Sequence, residues 1–115
     1  MDQFKIQLVA FLDDLIEQFP MQSEFIIMRI FVKDKISIAT LVQQFITDVL
    51  PHVELIKNRD NSFFEITELI GYPNKPKFFS NFWFSDLLDK NDKEIIWKWI
   101  DVFVILAKKI NNTIH

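Results

Sequence analysis

The chain contains no cysteine, one glycine and two histidines. Without cysteine it has no disulfide, no thiolate nucleophile and no cysteine-ligated zinc. A single glycine excludes a glycine-rich phosphate loop. His52 follows Pro51 and reads as a surface or cap residue, and His115 is the last residue of the sequence. No pattern supplies either with a nucleophile or a second imidazole. The acidic cluster Asp86, Asp89, Asp92 and Glu94 fails as a calcium loop. Counted from Asp89, Glu94 stands where the loop needs glycine, and Ile100 where it needs glutamate. No catalytic residue, metal ligand, cofactor or small-molecule substrate is assigned, and the expectation is a protein that is not an enzyme.

Long apolar runs are also missing, so no membrane span or membrane partner is expected. The opening MDQFKIQ lacks a basic region followed by an apolar stretch, and Asp2 stands where myristoylation needs glycine. An intracellular, soluble protein is the expectation. Positive charge is in short supply too. Residues 1–57 hold five basic and eight acidic side chains, and residues 58–115 hold eight of each, giving the net charge of −3. Binding to a nucleic-acid backbone works by releasing counterions through a basic surplus, and neither half has one. Nucleic acid is therefore disfavoured as a partner.

What the chain does have is apolar and aromatic bulk. Half of its 115 residues are hydrophobic, and thirteen are phenylalanine. One domain spanning 1–115 is expected at this length. Phe4, Leu8, Phe11, Leu12, Leu15, Ile16 and Phe19 share one face of an amphipathic helix over 2–19, ended by Pro20. The run Phe25–Val32 carries one charge, Arg29, and reads as a buried central helix. Arg29 is then expected to meet a carboxylate at the core edge. Ser37 should cap a third helix, and Pro51 should restart the chain. Ser62 with Glu65, and Asn91 with Glu94, have the spacing of capping boxes for two further helices. The segment 71–76, GYPNKP, reads as a loop. On the last helix the expected core arc holds Ile95, Ile96, Trp99, Ile100, Phe103, Leu106 and Ile110. The fold expected is all-α, a compact single-domain bundle of five to seven helices.

LPHVELIKNRDNSFF (50–64), FWFSDLLDKNDKEIIWKWIDVFVILA (82–107) and the stretch 19–34 resemble a group of small proteins of nucleocytoplasmic large double-stranded DNA viruses, of the iridovirus and giant-virus kind. The carriers are Arg59-Asp60 followed by Phe63-Phe64, and Trp97-Lys98-Trp99 followed by Asp101 and Phe103. The resemblance implies a viral origin and a place in the host cytoplasm or the virion. It brings no catalytic residues.

The function expected is a non-enzymatic interaction or assembly role, through a protein partner or self-association. The alternative is a small accessory factor of viral transcription, replication or genome packaging with a local nucleic-acid contact. Candidate partner-binding residues are Phe84 and Leu88, which fall opposite Phe78, Phe79, Phe82 and Trp83 on a helix through 76–88. Trp97 and Val104, at the border of the last helix's apolar arc, and the charged pair Arg59-Asp60 complete the set.

The charge count gives a direct test. At physiological salt and low micromolar protein, random duplex DNA should show no retardation in a gel. Saturable retardation would promote the accessory-factor alternative.

Overall fold

The computed structural model describes residues 2–70 and 75–114. Seven α-helices are found among them: α1 Asp2–Gln18, α2 Glu24–Ile30, α3 Ile38–Asp48, α4 Val53–Lys57, α5 Phe63–Ile66, α6 Phe78–Trp83 and α7 Lys90–Ile114. The described residues contain no strand, and the protein is an all-α bundle.

α1 buries Phe4, Leu8, Phe11, Leu12 and Leu15, the stripe that helical spacing demands. It stops before Pro20, and a turn over 19–23 folds α2 back onto it. α2 runs into a π-helical turn, Phe31–Lys35, closed by the Ile36 amide donating to the Phe31 carbonyl at 3.0 Å. Ile36 is extended, and Ser37 then caps α3, its Oγ accepting from the Thr40 amide at 3.1 Å. A 3₁₀ turn, Leu50–His52, takes up the break at Pro51 and leads into α4.

Two helix starts sit differently from their expected capping boxes. α7 begins at Lys90 and is capped two residues before the Asn91–Glu94 pair, by Asp89. Asp89 Oδ1 accepts from the Asp92 amide at 2.8 Å, and Asp92 Oδ2 accepts from the Asp89 amide at 3.1 Å. This reciprocal pair is itself a capping box, with aspartate in the glutamate's place. At α5 the Ser62 side chain caps nothing within the helix. Asp60 Oδ1 instead accepts from the Ser62 amide at 3.0 Å and from its hydroxyl at 2.8 Å. The expected loop lies partly outside the described residues, at 71–74.

α7 packs on α1, α3 and α4, and it carries the centre of the core. Its buried residues are Ile96, Trp97, Ile100, Phe103, Val104 and Ala107. The buried arc is therefore rotated toward Trp97 and Val104 from the arc that the sequence suggested. Trp97 is only 4% exposed, packed against Phe63, Phe64 and Trp83, with ring centroids 6.1, 5.1 and 5.2 Å away. Trp99 is half-buried at the margin, against Phe11 and Phe103. The expectation of a core Trp99 and a partly exposed Trp97 is reversed. The cause is that α5 and α6 cover the Trp97 flank, which nothing within α7 reveals.

Stability should follow the observed arc. Trp97→Ala should cost about 3–5 kcal/mol, as for other buried aromatic truncations, and Trp99→Ala distinctly less. Urea unfolding of both variants checks this, and equal costs would contradict the asymmetry.

Candidate functional site

The residues expected to bind a partner divide sharply. Phe84 lies at the end of α6 and is exposed. Leu88 is not on that helix at all. After Trp83 the chain turns, with Ser85 Oγ donating to the Phe82 carbonyl at 2.6 Å and accepting from the Leu87 amide at 3.3 Å. This turn exposes Leu87 and returns Leu88 to the core, where it is 8% exposed. Leu88, Trp97 and Val104 are core residues, which corrects their assignment to a partner surface. Phe78, Phe79, Phe82 and Trp83 all pack inward, Phe78 against Phe25 and Trp83 stacked on Phe64 with centroids 4.0 Å apart. The aromatic stretch is thus mostly the inside of the protein.

Arg59 and Asp60 also work within the chain rather than toward a partner. Arg59 has φ of 53°, the left-handed conformation that glycine takes most easily. Its amide donates to the Ile56 carbonyl at 3.1 Å, and the Asp60 amide donates to the Leu55 carbonyl at 2.9 Å. Those two bonds form a Schellman motif that ends α4. The Arg59 side chain then crosses to α7. Its guanidinium donates to both oxygens of Asp101, at 2.9 and 2.7 Å, and lies 5.6 Å from the Trp97 ring centre. One nitrogen also donates to the Ile56 carbonyl at 3.2 Å. Asp60 accepts from Ser62, and those bonds hold its carboxyl below the usual aspartate range. That contribution is present above the ordinary aspartate pKa and is lost as pH falls through the lowered value.

Sequence reasoning missed the outward face of α2. Advancing 100° per residue puts Phe25, Met28 and Val32 on one arc and Ile26, Ile27 and Ile30 on the opposite one. The first three are buried. The isoleucines are 47%, 42% and 44% exposed, so α2 is not the buried central helix expected. It lies at the edge of the bundle and is apolar on both sides. Arg29, on the flank between the arcs, donates from Nε to Asp13 of α1. This carboxylate partner was expected, but both side chains are well exposed. The pair is a surface bridge worth no more than about 1 kcal/mol. Its geometric effect is to draw the one charge within Phe25–Val32 sideways, leaving the outward face uncharged. The signal lay in the sequence as period: two interleaved apolar sets at helical spacing, divided by an arginine.

Among the described residues no cluster of histidine, aspartate and glutamate could hold a metal ion, and no helix is long and apolar enough to cross a membrane. No protein-family model matches the chain, and neither the curated proteins nor the solved structures contain a match.

The Arg59 arrangement can be dissected by substitution. Arg59→Ala should destabilise by about 1.5–3 kcal/mol, the range for hydrogen bonds to charged groups. Arg59→Gly should lose less, because glycine relieves the left-handed backbone. Arg59→Lys should behave more like alanine than like arginine, since an ammonium lacks the planar fork. A lysine variant as stable as wild type in urea would show that the fork contributes nothing.

Proposed function

We propose that this protein is a non-enzymatic interaction or assembly protein, and that it docks a protein partner on the outward face of α2. The supporting observation is the exposed set Ile26, Ile27 and Ile30 on a helix whose other face is core. Burying three β-branched side chains that stand nearly half in water favours association through the hydrophobic effect. Their side chains are stiff, so little rotamer freedom is lost when they are covered. A partner complementary to this strip offers an apolar helix face of its own, as in helix-in-groove and helix-on-helix recognition. The net charge of −3 speaks against nucleic acid as the main partner. On the resemblance of 50–64 and 82–107 to proteins of large DNA viruses, we place the partner in the host cytoplasm or the virion.

The test is Ile26→Ser with Ile30→Ser, set against Phe84→Ser. Both variants should keep the wild-type unfolding free energy to within about 1 kcal/mol, because the altered side chains are not core. In quantitative affinity capture and light scattering, the α2 variant should lose the stoichiometric partner or self-association that wild type shows, and the Phe84 variant should keep it. Retention by the α2 variant, or loss only with Phe84→Ser, would move the docking face elsewhere.

A further inference from the structure

A narrow cavity of about 10 Å³ lies between α1, α3 and the segment 67–70. Phe4, Leu8 and Leu41 are among its apolar walls, and its polar side chains are Gln44, Asp48 and Glu68. The segment is already tied to the end of α3, where the Thr67 hydroxyl donates to the Asp48 carbonyl at 3.1 Å. Gln44 Oε1 is buried and accepts no hydrogen bond. A buried acceptor without a donor is unfavourable, so native interiors rarely retain one. The cavity offers few donors. An ionised carboxylate is acceptor-only, whereas a protonated one carries an O–H. Asp48 is exposed to solvent, and Glu68 is only partly exposed.

We propose that Glu68 in its acid form donates a hydrogen bond to Gln44 Oε1, and that this bond latches segment 67–70 onto α3 as pH falls. The charged groups facing Glu68 are Asp48 from α3 and Lys77 from the turn before α6. α1 contributes only Phe4 and Leu8 to the cavity. Burial pushes the Glu68 carboxyl above the ordinary glutamate range, and the Lys77 charge opposes this less strongly. The sign follows from the raised value. The folded protein holds the proton more tightly than the unfolded chain does. The contribution is complete below the unfolded pKa of about 4.3 and fades as pH rises through the folded value. The device is independent of what docks on α2.

The experiment follows side-chain carbonyl carbons by NMR in the intact protein across pH 3–8. The Glu68 carboxyl should titrate above the ordinary glutamate value, and the Gln44 side-chain carbonyl should shift with the same midpoint. Glu68→Gln provides a second measurement, because its amide donates at every pH. The folding equilibrium constant of wild type relative to this variant should fall about fivefold from pH 4 to pH 7, the worth of one ordinary hydrogen bond. A Gln44 signal that stays flat through the Glu68 titration overturns the proposal. So does a Glu68 midpoint at or below the ordinary value, which would mean that the carboxylate accepts from the Gln44 amide instead.

Discussion

Helices α4, α5 and α6 have only five, four and six residues, and none could persist in water alone. Their existence depends on the side chains they pack toward α7: Ile56 from α4, and aromatic rings from α5 and α6. Phe63 and Phe64 leave α5 and meet Trp97, while Trp83 leaves α6, stacks on Phe64 and meets the same tryptophan edge-on. The indole N–H of Trp83 donates to Asn61 Oδ1 at 3.2 Å, so the one polar atom of that buried ring is satisfied. Each ring pair adds about 0.5–1.5 kcal/mol beyond the area it buries. The Arg59–Asp101 fork closes the same corner from its wet side, where Lys93 also lies 5.3 Å from the centre of the Trp83 ring. Without this corner the three short helices would have no reason to form, and one flank of α7 would face water.

The corner joins two stretches that are separate in the sequence. Arg59-Asp60 with Phe63-Phe64, and Trp97 with Asp101, lie some forty residues apart in the chain, yet they touch in the fold. A charge pair and an aromatic pair on one stretch answer an aspartate and a tryptophan on the other. Arg59 accepts a left-handed backbone, normally a glycine position, because the same residue must both end α4 and reach α7. That double duty gives it a role within the chain.

Much of the architecture was legible, and the errors share a cause. α1, the Ser37 cap and the break at Pro51 follow from local rules, which depend only on neighbours in the chain. Asp89 took over the capping of α7 from Asn91, and Asp60 engages the Ser62 amide and hydroxyl ahead of α5, in each case two residues earlier than the expected cap. Capping spacing identifies a helix start but does not choose among adjacent acceptors. The exchange of Trp97 for Trp99 has a different origin. Both lie near one apolar stripe, and which flank is covered depends on α5 and α6, elements outside α7. The same holds for Leu88, whose burial rests on a serine-held turn that a continuous helical reading of 76–88 passes over. The order of elements and the buried face of α1 were therefore readable, while the rotation of α2 and α7 about their own axes was not.

That rotation decides which apolar side chains are left facing water. Nearly all the aromatic rings are spent inside: Phe25, for example, has Phe78, Phe79 and Phe82 around it in edge-to-face contact. Rings so engaged are unavailable for the anchor role that aromatics usually take at interfaces. The outward apolar surface of α2 is left to isoleucine, and three half-exposed side chains bury far less than the roughly 800 Å² per partner of a standard interface. An association built on this face alone is weak and reversible. The face is flanked by charges, the Arg29–Asp13 bridge on one side and Lys33, Asp34 and Lys35 beyond the end of the helix. Charges at the rim set approach and orientation more than holding strength. Under the proposed docking role, the uncharged strip would supply the contact and the charged border its orientation.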